Sequence, residues 1–479
     1  MKRLLSYMKH YKKESIFGPL FKMLEASFEL FVPLVVASMV DRGIGQGDGG
    51  YVLRMGGLLV ALGLIGLACS LTAQYFAAKA AVGISTALRN DLFAHIGSLS
   101  YREIDQVGTA TLITRMTSDI NQVQNGVNMT LRLLLRSPFV VFGAMVMAFT
   151  VDVPAALVFA VTIPILCAVV FGILLVSMPL YKKVQKQLDR VLLTTRENLL
   201  GVRVIRAFNR QENEIRTFDQ ENGALVRLQV FVGKISALLN PVTYVIINLA
   251  TVALIWKGGL RVDMGALSQG QVIALVNYMS QILVELVKMA NLIILISKAM
   301  ACMNRVDGVF QVTGSIADGV YALDSEAQKV QGTPAVEFQN VSFTFSGSKA
   351  PALSELSFKA APGETIGIIG GTGSGKTALV NLIPRFYEAT EGKVMVRGRD
   401  VREYEMKSLR RAIGVVPQRA VLFAGTLRDN MRWAKEDASD EEIYRALEIA
   451  QAKDFVDEKG EGLDLTIEQG GKNLSGGQR

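Results

Sequence analysis

Hydrophobic residues gather in long runs over the first three hundred positions, and the runs set the first expectation. A helix that crosses a bilayer needs roughly 20 mostly apolar residues. Six stretches meet that length: Ile16–Val40, Leu53–Ala81, Leu133–Val151, Pro154–Pro179, Ile235–Trp256 and Val272–Ile296. Only "DVP" separates the third from the fourth, a tight hairpin in which Pro154 opens the next helix. Two long polar stretches, residues 82–132 and 180–234, carry few Gly or Pro breaks. They predict helices that continue out of the membrane as stalks.

The pattern changes after Ile296. Residues 310–334, with Gly, Ser, Thr, Asp and one Pro, read as a linker. "VEFQNVSFTF", "ALSELSFKA" and "TIGIIG" come next as three short strand-like runs between polar or Pro-Gly turns. Further on, "IGVVPQ" predicts a strand ending at Gln418, and "SDEEIYRALEIA" opens with a capping box of Ser439 and Glu442. The expected organisation is an all-α membrane domain over 1–309, a linker over 310–334 and an α/β domain over 335–479.

Composition agrees with that division. Half the residues are hydrophobic, a fifth are charged and the mean hydropathy is +0.32, which sets the chain apart from ordinary soluble domains. The net charge of +8 could suggest nucleic acid, but Lys and Arg cluster between the apolar runs. There they orient a membrane protein: the second arm alone carries Lys182, Lys183, Lys186, Arg190 and Arg196, against few basic residues in the opposite loops. Both termini and both arms are expected in the cytoplasm. The opening "MKRLLSYMKHYKK" is not expected to be a cleaved signal, since Lys22, Glu25 and Glu29 interrupt the apolar run behind it. With Leu4, Leu5, Met8 and Tyr11 on one face, it predicts a helix lying on the membrane. Cys69, Cys167 and Cys302 are scattered and read as small core residues.

Charges inside the spans raise a second question. Lys22, Glu25 and Glu29 fall within about 60° of one another at 3.6 residues per turn, and Glu285 and Lys288 are i,i+3 neighbours. Such groups avoid lipid and face a bundle interior or water. They either line a substrate cavity or pair to orient helices; Glu29 and Glu285, the deepest, lean towards function.

The cytoplasmic half carries sharper chemistry. Gly370, Gly371, Thr372, Gly373, Ser374, Gly375, Lys376 and Thr377 form "GGTGSGKT", fitting G-x-x-x-x-G-K-[ST] after a strand-like run and before a helix-like one. Glycines let backbone N–H groups approach phosphate oxygens. The lysine reaches the β- and γ-phosphates, and the Thr hydroxyl ligates Mg²⁺. The bland alternative is a glycine-rich turn. Phe345 is placed to stack on an adenine, or is an ordinary strand aromatic.

Together "GGTGSGKT", "VVPQ", "LFAGTLRDN" and "NLSGGQR", in that order after six spans, resemble the ATP-binding cassette (ABC) exporter family over essentially the whole chain. "DQVGTATLITRMTSDINQVQ" and "ENLLGVRVIRAFNRQENE" resemble its intracellular loops, and the whole is most similar to one subunit of bacterial heterodimeric multidrug-type exporters. The resemblance implies a membrane all-α six-helix exporter domain followed by an α/β P-loop cassette. It implies ATP and Mg²⁺ as cofactors, a second half-transporter as partner with a heterodimer favoured, and the bacterial plasma membrane as location. Ser475, Gly476, Gly477 and Gln478 would belong to the signature motif that completes the opposite subunit's ATP site. Gln418 would contact Mg²⁺ and the attacking water. The arm tips near Ile104–Val107 and Phe208–Glu214 would transmit cassette closure, unless they are simply solvated helical faces.

Two departures stand out. Phe345 replaces the Tyr of many relatives, keeping the π-face, and Gln469 stands where many have Glu. The family also continues past the signature with a strand, a catalytic Glu and a switch His, whereas this sequence stops at Arg479. The expectation is therefore a truncated record whose sheet lacks a central strand, and a chain that binds ATP without hydrolysing it. The alternatives to an exporter are an ATP-gated channel or regulatory subunit, and a catalytically degenerate partner.

Overall fold

The structure is a computed structural model that describes residues 2–323, 332–418 and 420–479. It divides into two compact units, 1–315 and 316–479. The part of the predicted linker at 324–331 lies outside the described residues.

Among the described residues, the first unit contains six apolar helical spans: Arg3–Ile44, Gly49–Ser98, Thr109–Val151, Val153–Leu200, Gln211–Asp263 and Gln269–Phe310. Each expected run falls inside one of them, and the polar stretches extend the helices as stalks. Span 4 begins as its sequence dictates, with Asp152 accepting from the Ala155 N–H and Pro154 in the first turn. Span 6 opens with a capping box of Ser268 and Gln271. Short turns join spans 1 to 2, 3 to 4 and 5 to 6, while short helices at Tyr101–Val107 and Val202–Ala207 lie between the long arms.

Small residues let the helices approach. A Cβ on Gly126 would sit 2.2 Å from that of Ala299, and one on Gly270 would sit 2.2 Å from the Ala37 carbonyl oxygen. One core, with Phe159, Leu166, Leu254, Tyr278 and Ile282, fills the bundle. A second, with Ile84, Leu88, Leu92, Ile120 and Met303, binds the stalks of spans 2, 3 and 6.

The N-terminal helix differs from expectation. Leu4, Met8 and Tyr11 pack on the stalk core rather than forming a lipid-facing stripe, and only Leu5 of that face is exposed. Arg3 pairs with Asp307 and lies 3.8 Å over the Phe310 ring, while the Tyr7 hydroxyl donates to Asp91. Protein contact satisfies the apolar face that the sequence pattern assigned to the bilayer.

In the second unit, β1 (Val336–Phe343), β2 (Leu353–Ala360), β3 (Glu391–Val396) and β4 (Arg399–Asp400) form an antiparallel sheet in the order β2-β1-β3-β4. Its core includes Phe338, Val341, Leu382, Val394 and Tyr404. Residues 316–323 belong here, since the Gly319 and Tyr321 amides bond to Tyr404 and Glu403 carbonyls and Leu323 is buried. A second core, with Leu427, Ile443, Leu447, Ile467 and Leu474, holds β5 (Gly425–Thr426), β6 (Thr466–Ile467) and the helix Asp440–Ile449, capped by Ser439 and Glu442 as expected.

Three strand expectations are corrected. "TIGIIG" at 365–370 and "IGVVP" at 413–417 form no ladder, and Ile369 and Val416 are 99% and 96% exposed. A strand-like sequence becomes a strand only when a neighbour takes its backbone hydrogen bonds, and no described segment pairs with either. β1 also stops at Phe343, which leaves Phe345 in the following turn.

Candidate functional site

The glycine-rich loop runs from Gly370 into the helix Lys376–Leu382. Gly373 and Gly375 take φ of +83° and +85°, values that L side chains rarely adopt, and Gly375 caps the helix. A Cβ on Gly375 would sit 2.5 Å from the Ala352 carbonyl oxygen and 2.7 Å from the Leu353 side chain, so the loop lies directly on the start of β2. Gly371 and Gly373 face open space, leaving their backbone accessible. The Lys376 ammonium donates to the carbonyls of Gly370 and Gly371 at 2.8 and 2.7 Å and approaches the Ser374 hydroxyl at 3.4 Å. Thr377 follows at the first turn.

Phe345 reaches the same neighbourhood through the strand pair. The Ala352 N–H bonds to the Phe343 carbonyl at 2.7 Å, and the Phe345 ring packs edge-on against Phe343 and Tyr387, with centroids 4.7 and 5.6 Å away. Edge-on packing on two sides fixes the ring and leaves it 41% exposed. An anchored, partly exposed ring beside a phosphate-type loop suits stacking on a planar base. The residues present therefore fit a magnesium nucleotide: bare N–H groups, one ammonium, one hydroxyl and one aromatic face.

The signature stretch is built as a helix start. Ser475 Oγ accepts from the Gln478 N–H at 3.3 Å, while Gln478 Oε1 accepts from the Ser475 N–H at 3.0 Å. This reciprocal bonding is a capping box. Buried Leu474 anchors it in the second core, and Ser475, Gly476 and Gly477 stay exposed with no atom crowding either glycine. Gln469 lies in the turn before it, where the Gly470 N–H bonds to the Leu422 carbonyl.

Not every expected member of the site comes together. Gln418 is exposed on its unpaired segment, and no hydrogen bond among the described residues reaches it or joins the glycine-rich loop to Ser475–Gln478.

In the membrane unit, the charged residues converge. Arg136 is buried between two helices, its Nη2 donating to Glu29 at 2.6 Å and its Nη1 to Glu285. Ser137 and Lys288 each donate to Glu285 at 2.9 Å. Lys22 pairs separately with Glu25 and reaches Ser70 at 3.1 Å. Opposite charges this close, with each Glu285 oxygen hydrogen-bonded, offset the desolvation that an isolated ion would suffer. A cavity of about 480 Å³ opens beside the cluster, lined among others by Glu29, Glu285 and Lys288.

Comparison with known families decides the assignment. Residues 15–286 match the ABC transporter transmembrane region, and residues 353–479 match the ABC transporter domain. The chain belongs to the ABC transporter family. It is an ABC exporter half-transporter, with six apolar helices ahead of one nucleotide-binding cassette. An uncharacterized ABC transporter ATP-binding protein of Mycobacterium bovis is 35% identical over 99% of this chain and 81% of its own length. A putative multidrug export ATP-binding/permease protein of Bacillus subtilis is 30% identical over 100% of this chain and 83% of its own. The solved structure of a bacterial Atm1-family ABC exporter with ATP bound shares the fold, with a TM-score of 0.75 at 22% identity over 98% of this chain and 82% of that one.

Within this ABC exporter subunit, Arg136 is the residue that sequence reasoning missed. Its signal was a single arginine inside "LLLRSPFVVF", in a window otherwise apolar enough to span. An intramembrane cation calls for a carboxylate partner. Glu29 and Glu285 were already in view.

Proposed function

We propose that this subunit exports small amphipathic or lipophilic compounds, driven by MgATP, through alternating access coupled to cassette dimerisation. The observation that carries the reading is the pairing of two exposed backbone cradles, Gly370–Thr377 and Ser475–Gly477, which no hydrogen bond among the described residues connects within the chain. Each is open for a phosphate, and each is incomplete alone. The nucleotide then sits between the glycine-rich loop of one subunit and the signature of its partner, which a heterodimer or a homodimer supplies. In this reading Lys376 leaves the Gly370 and Gly371 carbonyls for the phosphate oxygens, a charge-assisted contact stronger than the neutral ones it replaces. Thr377 and Gln418 offer oxygen ligands to the Mg²⁺ of the substrate, which suits a hard cation. Phe345 stacks on the adenine.

MgATP contacts the closed pair more extensively than the open one, so binding favours closure. Closure would pass through the arm tips at Ile104–Val107 and Phe208–Glu214 to the spans, turning the cavity from the cytoplasmic to the opposite side. The mixed apolar and charged lining of that cavity supports an amphipathic cargo, and the multidrug export relative points the same way. Basic arms against few basic loops support a bacterial plasma-membrane protein with its cassette in the cytoplasm.

Transport by the full-length assembly in vesicles tests the reading. Lys376→Ala should abolish ATP-dependent uptake of an amphipathic dye while leaving membrane insertion intact. Undiminished uptake would refute the assigned nucleotide site.

A further inference from the structure

Span 1 is 42 residues long, about twice what crosses a bilayer core. Its apolar run begins at Ile16, so residues 3–15 stand clear of that core. They do not project free: a series of contacts seats them on neighbouring stalks. Glu14 pairs with Lys79 of span 2 at 3.0 Å. Tyr11 then lies on Gly83, where a Cβ would stand 2.3 Å from the ring, so span 2 offers a notch that a side chain would fill. The Tyr7 hydroxyl donates to Asp91, again on span 2, at 2.5 Å.

At the tip the neighbour changes. Arg3 reaches span 6, pairing with Asp307 at 3.2 Å and lying 3.8 Å over the Phe310 ring. His95 of span 2 meets the same place: its Nε2 lies 3.2 and 3.0 Å from the Val309 and Val312 carbonyls, and its ring is 5.3 Å from that of Phe310. An N–H there serves carbonyls at a helix end, where the helix runs out of its own donors. Exposed ion pairs hold little singly, and Arg3 and Asp307 are both partly exposed. The series is stronger than its members. A guanidinium on a ring adds to its ion pair, and Leu4 and Met8 bury apolar surface on the stalk core between the polar contacts. The two tips joined in this way lead to different places: span 2 into the short helix Tyr101–Val107, and span 6 into the second unit.

We propose that residues 3–15 are a brace that makes the tips of spans 2 and 6 move as one, so that cassette motion reaches the membrane without slippage between them. Arg3 and Tyr7 are its positioning residues: each holds a different stalk, Arg3 through Asp307 and Phe310, Tyr7 through Asp91. Without them the stalk that receives the motion shifts against its neighbour, and nucleotide is spent with less cargo moved. The proposal rests on the export reading and adds to it the element that keeps hydrolysis and transport in step.

Two measurements on the full-length transporter test it. Spin labels at Ala94 and Asn304, exposed on the two stalks, report their separation once Cys69, Cys167 and Cys302 are replaced by alanine. The parent should give one narrow distribution, the same with and without MgATP, and Arg3→Ala combined with Tyr7→Phe should broaden it. A parent distribution that shifts with MgATP, or a variant as narrow as the parent, overturns the proposal. The second measurement is uptake of an amphipathic dye per ATP hydrolysed in vesicles. The double variant should lower that ratio at least about threefold while hydrolysis continues. Arg3→Glu should lower it likewise, and adding Asp307→Arg should restore it. An unchanged ratio, whether uptake and hydrolysis fall together or not at all, overturns the proposal too, since residues 3–15 would then only stabilise the fold. If the double variant fails to insert, Arg3→Glu alone takes its place with the same outcomes. A parent that takes up no dye, with labels that behave as expected, defeats the export reading and leaves the brace standing.

Discussion

At the scale of single residues, geometry and sequence carry different information. Gly375 combines a φ of +85° with a backbone oxygen 2.5 Å from where a Cβ would stand. Gly375→Ala should therefore distort the loop at a cost of about 1–3 kcal/mol. Nucleotide binding to the full-length protein should weaken at least about tenfold, and unchanged affinity would mean the loop tolerates a side chain there. Arg136→Met removes the principal counter-charge of a buried carboxylate, Glu285, at a cost of about 3–5 kcal/mol. The melting temperature of the detergent-solubilised protein should fall, and an unchanged value would show that Lys288 and Ser137 suffice. Lys376 and its glycines were legible because the phosphate loop is one contiguous stretch. Arg136 was not, because its partners lie 107 and 149 positions away and only folding brings them together. Nor did the sequence place Lys376 on the Gly370 and Gly371 carbonyls, a contact that depends on how the loop closes.

Elements divide according to whether they satisfy themselves. Helices bond within their own segment, so the apolar runs and their polar continuations predicted six long helices, and Pro154, Ser439 and Glu442 marked helix starts correctly. Strands need a neighbour, and the runs at 365–370 and 413–417 show the consequence: suitable residues, no ladder and exposed Ile369 and Val416. The N-terminal helix makes the related point that an apolar face names no partner, since Leu4, Met8 and Tyr11 settle on protein.

The end of β4 supplies a pH-dependent test. Burial pushes the Asp400 carboxyl up, but hydrogen bonds from Arg402 outweigh it and hold the group below its usual range. Its contribution to stability is then present above the unfolded value, near about 3.9, and is lost as pH falls through the lower folded value. Thermal unfolding can be followed at Trp433 in a Trp256→Phe background. Between about pH 4 and pH 2 the parent should lose more stability than Asp400→Asn. Parallel losses would show that the Arg402 pairing adds nothing.

For the whole molecule, the order of parts was readable: spans first, cassette second, motifs in sequence within it. The match of residues 15–286 and 353–479 to the two ABC transporter regions establishes that order as a family trait. Cargo was not readable, because the cavity assembles from side chains on separate helices, and although Lys288 was legible as a neighbour of Glu285, nothing in sequence shows that Arg136 joins Glu29 to Glu285. The central claim is that MgATP joins two cassettes and that their union drives the spans. Distances between spin labels on the exposed side of the helix Asp440–Ile449 of this subunit and the matching helix of its partner, in the intact assembly in vesicles, test it most directly. MgATP should shift the distribution to shorter separations, and Lys376→Ala should weaken the shift. One distribution, the same with and without nucleotide, would contradict the account.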